Sequence, residues 1–244
     1  TGGLLRAPEL TFLAGEVGLD VFGYNVPNDA LNAALEAACR QHPGITVVET
    51  SAVERLEIGA DRATAHTNDG RRIEARLVGG ADGRGSMCRE AAGIATRRWS
   101  YEQSAIVCTF QHSRAHCRIS TELHRPSGPF TVVPMPGNAS SLVWVERPAI
   151  AQRLVQMLDE DFRAAVEARL MGLLGTVTGI TPRAIFPLSG LTAETFASNR
   201  VALIGEAAHV IPPIGAQGLN LGLRDAAIFV DCAVDALKEG RDPG

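Results

Sequence analysis

The stretch "GEAAHVIPPIGAQGLNLGLRD", residues 205–225, decides how the rest of the chain is read. It follows "RVALI" (residues 200–204), an apolar run of the kind that forms a buried strand. After two prolines and several glycines it enters an apolar pattern at helical spacing. Strand, glycine-rich loop and helix together present backbone N–H groups to an anion. Gly205 lets the backbone turn without a Cβ clash. Glu206 then stands at the carboxyl end of a strand, where open α/β sheets bind ligands. A carboxylate there suits a hydroxylated ligand and not a bare phosphate. Residues 212–218 carry no bulky side chain except Ile214 and Gln217, so a flat ligand can approach the backbone closely. The helix beginning near Gly218 aims its positive end at that ligand, worth roughly 0.3–1 kcal/mol for a negative charge.

Working outward, the chain alternates in texture. "NVPNDALNAALEAACRQHPG" predicts a helix capped by Asn28 and stopped at Pro43, with Leu31, Ala34, Leu35, Ala38 and Cys39 on one face. Before it, "ELTFLAGEVG" and "LDVFGYNVPN" read as extended, and after it "ITVVET" reads as a short strand. "AVERLEI", "ATAHT" and "RRIEARLVGGA" predict a hairpin ribbon. It leads into "ADGRGSMCREAAG", a turn and short helix with Ser86 as cap. From about residue 101, four strand-like segments separated by proline and glycine predict an antiparallel sheet. A helix over residues 150–174 follows, burying Leu154, Leu158, Phe162, Ala165, Val166 and Leu170. "RAIFPLSG" returns as a strand. The order is an α/β piece (1–100), an antiparallel insertion (101–183) and an α/β piece (184–244) that rejoins the first in space.

Composition bounds the function. The 244 residues are 45% hydrophobic and 20% charged, the balance of a globular protein. A formal net charge of −4 argues against a nucleic-acid partner. No apolar run reaches the ~18–20 residues of a membrane span. The five cysteines form no C-x-x-C pair, and with an opening unlike a signal peptide they predict free thiols in the cytoplasm. His112 and His116 are four apart but lie in a polar loop, so no metal site is expected. His209 is expected to hold its loop by a hydrogen bond, and Phe130 and Trp144 to pack in a core.

"RVALIGEAAHVIPPIGAQGLNLGLRDA" resembles the second flavin-binding motif of the FAD-dependent aromatic hydroxylases, and "LVGGADGRGSMCRE" (residues 77–90) resembles their Asp-Gly motif, associated with FAD and NAD(P)H. With "NVPNDALNAAL" and "FPLSG", the ubiquinone-biosynthesis branch is the most similar. The resemblance implies a glutathione-reductase-like FAD-binding domain with an inserted substrate domain. It implies a monooxygenase that takes electrons from NAD(P)H and transfers one oxygen of O₂ to an aromatic ring through a flavin C4a-hydroperoxide. The ring chemistry belongs to the cofactor, and no catalytic side chain is singled out. The implied cofactor residues are Asp82, Gly83, Arg84, Gly205, Glu206, Pro213, Gly215, Ala216, Gln217, Gly218, Leu219 and Asn220. Arg84 is expected to meet a phosphate, Glu206 the ribityl chain, and residues 213–218 the flavin ring. A halogenase or prenyl reductase of the same superfamily is the alternative, as is an inert scaffold. Two departures stand out. The family carries Asp where this chain has Glu206. Its opening strand, G-x-G-x-x-G and helix have no counterpart, so the chain reads as an internal fragment expected to be inactive alone. A peripheral membrane contact and a homo-oligomer are both compatible with the resemblance.

Overall fold

The computed structural model describes residues 9–49, 52–213 and 215–244. They pack as two units, and the chain passes between them along two long strands. One comprises Val48–Tyr101 and Leu188–Gly244, the other residues 9–47 and Glu102–Pro187. In chain order the elements are α1 (Asn28–Gln41), β1 (Val53–Ile58), β2 (Ala63–Thr67), β3 (Arg72–Ala75), β4 (Val78–Gly80), α2 (Met87–Ala91) and β5 (Thr96–His112). There follow β6 (Thr121–Leu123), β7 (Phe130–Met135), β8 (Ala139–Glu146), α3 (Pro148–Gln156), α4 (Asp159–Leu170) and β9 (Val177–Ile180). The chain closes with β10 (Ala184–Ala193), β11 (Ala197–Ser198), β12 (Val201–Leu203), β13 (His209–Val210) and α5 (Gln217–Lys238). The fold is α/β.

In the first unit, β1, β2 and β3 form the expected antiparallel ribbon. A second sheet joins β11, β12 and β4. β11 turns into β12 through Asn199 and Arg200, with φ of 48° and 66°, the positive values a tight two-residue hairpin turn demands. β12 then pairs with β4 in parallel, Val201 opposite Val78 and Leu203 opposite Gly80. So the last piece of the chain does rejoin the earlier one. α2 packs close on β4, and a Cβ at Gly80 would lie 2.7 Å from the Cys88 Cβ. Ser86 caps α2 as expected, its hydroxyl accepting from the Arg89 amide. Arg200, buried, donates to the Ala60 and Arg76 carbonyls and pairs with Asp242, tying three segments together.

In the other unit, β8 lies between β5 and β7, β6 flanks β7, and β9 pairs with β5. Alternate residues Ile106, Cys108, Phe110 and His112 of β5 are buried, as a half-covered sheet requires. α3 and α4 supply Leu154, Phe162, Val166 and Leu170 to the same core. Phe130 and Trp144 pack edge to face there, with centroids 5.2 Å apart. His112 is also structural. Its ring bonds the Arg114 carbonyl at 2.8 Å and the Ser140 hydroxyl at 3.0 Å, and no metal-binding cluster occurs among the described residues.

Four local expectations are corrected. The single helix over 150–174 is two helices, broken at Met157 and Leu158. Leu158 adopts an extended conformation and is exposed, and Asp159, Glu160 and Asp161 open a new helix at its positive end. Residues 45–49 form no strand, because no neighbouring strand pairs with them. Pro27 and not Asn28 occupies the cap position of α1. The first of the two segments before α1, expected to be extended, is interrupted by a short 3-10 turn at Ala14–Val17. By contact, residues 9–47 group with 102–187, and Asn25 reaches the Pro134 carbonyl of β7 at 3.3 Å.

Candidate functional site

The parallel pairing of β4 and β12 brings the two sequence motifs together. Val78 N–H donates to the Arg200 carbonyl and Ile204 N–H to the Gly80 carbonyl, both at 2.9 Å. The chain leaves both strands at the same end of the sheet. Beyond β4 come Asp82, Gly83 (φ 80°) and Arg84; beyond β12 come Gly205 (φ 60°) and Glu206. Arg84 Nε and Nη2 donate to the two Glu206 oxygens at 3.1 and 3.0 Å. This two-point pair raises the guanidinium pKa further above its already high value, chiefly through the hydrogen bond to Glu206. Both side chains remain more than half exposed, so the pair faces solvent.

Buried groups beneath the surface hold these loops. Arg89 is 2% exposed. Its guanidinium donates to the Ala207 carbonyl and the Arg84 carbonyl, each at 2.8 Å. One side chain therefore staples the loop after β4 to the loop after β12. Asp82 accepts from the Cys88 amide at 3.0 Å. Burial pushes its pKa up, but the hydrogen bonds from the Cys88 amide and the Ser86 hydroxyl outweigh this and hold it below the ordinary value. Asp82 thus anchors the start of α2. Burial and the nearby Asp82 charge push the Cys88 thiol up to about 11, which marks it as a packing residue.

The third segment is residues 211–216 and the start of α5. Ala216 sits in the left-handed region (φ 52°, ψ 37°) at the cap position, and no side chain caps the first turn. Asn220 Nδ2 bonds back to the Ala216 carbonyl at 3.2 Å. Pro213, Gly215, Ala216, Gln217, Gly218, Leu219 and Asn220 are all exposed, and the space a Cβ at Gly218 would enter is open. Ile214 lies outside the described residues. α5 meets the β12 end through small residues: a Cβ at Gly222 would lie 3.4 Å from the Gly205 Cα. One turn on, Asp225 Oδ2 accepts from the Gly205 amide at 2.9 Å and from His209 Nε2 at 2.7 Å. His209 therefore holds its loop by a hydrogen bond, as expected.

Asp82, Gly83 and Arg84 thus stand beside Gly205 and Glu206, and α5 reaches Gly205 through Gly222 and Asp225. Arg84, expected to face a phosphate, is engaged by Glu206. Two positioning residues escaped the sequence reading. Arg89 had a signal, since it stands three residues after the cap Ser86 and its side chain turns under the loop. Asp225 had another, since it shares a helix face with Gly222 at spacing i, i+3.

A family model described as "FAD binding domain" matches residues 22–241. The chain is 40% identical over 222 residues to the ubiquinone hydroxylase UbiL of Rhodospirillum rubrum, covering 91% of this chain and 52% of that protein. It is 34% identical over 231 residues to the 3-demethoxyubiquinol 3-hydroxylase of Escherichia coli, covering 95% and 59%. The chain therefore spans little more than half the length of these relatives. Among solved structures, a probable FAD-dependent monooxygenase from Pseudomonas aeruginosa, pqsL, superposes with a TM-score of 0.72 at 22% identity. That match covers 87% of this chain and 61% of that one, a likeness of fold.

Proposed function

The chain belongs to the FAD-binding-domain family, and from that premise we propose that the protein is an FAD- and NAD(P)H-dependent monooxygenase that hydroxylates an aromatic ring. The names of its relatives point to a ubiquinone precursor as the substrate class. The observation that carries the proposal is the side-by-side exit of the Asp82–Arg84 and Gly205–Glu206 loops from two parallel strands, next to an uncapped helix start. Ligands of open α/β sheets sit at such an edge.

The residues present fit a flavin. Glu206 keeps lone pairs after pairing with Arg84, because a carboxylate has about four acceptor sites for two donated bonds. It would accept from ribityl hydroxyls, while Arg84 fixes its orientation. Pro213, Gly215, Ala216, Gln217 and Gly218 would offer backbone to the flat ring. The first-turn amides of Leu219 and Asn220 and the positive end of α5 would stabilise negative charge on that ring. Asp82 and Gly83 would shape the opposite wall. When bound, the flavin supplies hydride acceptance and oxygen activation. The chain's own part is to hold, orient and keep water from it. Residues 48–100 and 184–244 would serve the cofactor, and 101–183, with which residues 9–47 group, the substrate.

A lipid-tailed quinone precursor would bring the protein to a membrane surface from the cytoplasmic side. No helix among the described residues is long and apolar enough to cross a membrane, and the contact proposed is a peripheral one. Self-association into a homo-oligomer is compatible with the exposed apolar residues of α5, among them Leu223, Ile228 and Val230. The test is a visible absorbance spectrum of the purified full-length protein, then product analysis with NAD(P)H and isotopically labelled O₂. A flavin band and one labelled oxygen in the product support the proposal. Absence of flavin under saturating FAD sinks it.

A further inference from the structure

One end of the sheet formed by β5–β9 gathers three loops. β5 runs antiparallel to β8 and β9, with Gln111 opposite Ala139 and His112 opposite Val177. The loop leaving β5 (113–120), the turn between β7 and β8 (136–138) and the loop entering β9 (171–176) therefore lie at the same end. Hydrogen bonds lock them together. The Ser113 amide donates to the Thr176 carbonyl and the Arg114 amide to the Leu174 carbonyl, both at 3.0 Å. Arg114 Nη1 donates to the Gly172 carbonyl at 2.9 Å. The His112 amide donates to the Asn138 carbonyl at 2.9 Å, and His116 Nε2 lies 3.0 Å from the Gly137 carbonyl. A Cβ at Gly175 would collide with the Ser113 hydroxyl, so the first and third loops meet without a gap.

These loops hold apolar side chains in water. Met171 is 65% exposed, Ile119 58% and Leu173 43%. Met171 also breaks a local rule. It ends α4 in the left-handed region (φ 50°, ψ 38°), where glycine or asparagine is usual. Such rules are broken mainly where function requires it. The charge beside these side chains is of one sign. Arg114 and Arg118 are exposed. Residues 113–120, 136–138 and 171–176 include no acidic residue, although the whole chain has a formal net charge of −4. The carboxylates nearest in sequence are engaged elsewhere: Glu122 accepts from the Thr131 hydroxyl at 3.2 Å and Glu167 from the Val177 amide at 2.6 Å. Apolar side chains beside arginines are what an anionic bilayer surface binds. They stand on loops rather than in a cleft, which suits a fluid surface and not a shaped partner. We propose that this end of the unit docks on an anionic lipid surface, with Met171, Leu173 and Ile119 entering the headgroup layer and Arg114 and Arg118 meeting lipid phosphates. The proposal stands on these loops and not on the flavin assignment; it gives a surface to the peripheral contact inferred from the substrate class.

The test is co-sedimentation of the purified full-length protein with vesicles. One set is phosphatidylcholine alone; the other contains about one-third phosphatidylserine. Binding to the anionic set alone is expected, and it weakens as salt rises from about 0.1 M to about 1 M. Arg118→Gln lowers the affinity about fivefold, the worth of one arginine near an anionic surface. Met171→Asn suits the left-handed backbone, so it lowers the affinity about tenfold while the thermal midpoint holds or rises. Should Met171→Asn melt early, Leu173→Gln, at an exposed position, takes its place. Equal binding to both vesicle sets, or unchanged affinity in either variant, overturns the proposal. So does loss of self-association in Met171→Asn with vesicle binding intact, which would make the surface a protein contact. The flavin band should be the same in both variants, so failure here is separate from failure of the monooxygenase proposal, which that band and the labelled product report.

Discussion

Replacing Glu206 by alanine separates binding from folding. The side chain is 53% exposed and its partner Arg84 55%. An exposed ion pair of this kind contributes about 0–1 kcal/mol to stability. The thermal midpoint should therefore move by no more than about 4 °C for a chain of this size. Flavin affinity should respond far more strongly. A hydrogen bond from a ribityl hydroxyl to a carboxylate is worth roughly 1.5–3 kcal/mol. At 1.4 kcal/mol per tenfold, its loss raises the dissociation constant about 10- to 150-fold. The assay is a flavin titration followed by absorbance or flavin fluorescence, with thermal melts run alongside. Arg84→Met is the control. It removes the same ion pair but leaves the carboxylate, so affinity should fall by less than in Glu206→Ala. An unchanged dissociation constant in Glu206→Ala would show that the carboxylate does not meet the cofactor. A variant that unfolds would refute the argument from exposure.

Four further outcomes follow from the packing. Arg89→Met should lower the denaturant-unfolding free energy by about 2–4 kcal/mol, since two carbonyls lose a charged donor while the cost of burying the cation is relieved; a loss below about 1 kcal/mol would contradict the staple. Gly80→Ala should destabilise by about 1–3 kcal/mol by pressing on Cys88, and an unchanged denaturation midpoint would mean that α2 can shift freely. In Asp82→Asn the pH dependence should flatten: the folded carboxyl titrates below its unfolded value of about 3.9, so its stabilisation is present above that pH and is lost as pH falls through the lower folded value. Thiol alkylation at neutral pH should label the exposed Cys117 and Cys232 and spare the buried Cys88 and Cys108, whose pKa values are both pushed up to about 11 by burial; rapid labelling of either buried thiol in the native state would count against this packing.

Sequence reading succeeded where local chemistry decides the outcome. Alternation found the ribbon of β1, β2 and β3, and the cap at Ser86 found α2. The apolar run before Gly205 found β12. It failed where partners far away in the chain decide. Residues 45–49 have a strand's composition, but a strand exists only when another lies beside it. Leu158 fits an apolar helical stripe, yet three acidic residues after it favour a new helix start over a continued one. The seating of Trp99 against Gly190 was illegible for the same reason. Nothing near Trp99 in the sequence shows that a glycine 91 positions later makes room for its ring.

The Arg84–Glu206 pair shows how such long-range pairing shapes a site. Each residue alone suggested a ligand, a phosphate for the arginine and a sugar-like hydroxyl for the carboxylate. Parallel pairing of β4 with β12 sets them side by side, where each becomes the other's partner. An arginine without that partner would draw phosphates to the strand ends; an unpaired carboxylate there would repel the negative charge that an electron-rich ring develops. Paired, they leave a nearly neutral edge that still has acceptor lone pairs. The positive end of α5 would then supply the net field. On this argument Glu206→Gln, which leaves Arg84 uncompensated, should bind anions such as inorganic phosphate more tightly than the native protein, read as competition against flavin. No gain in phosphate competition would mean that Arg84 is not restrained by its partner.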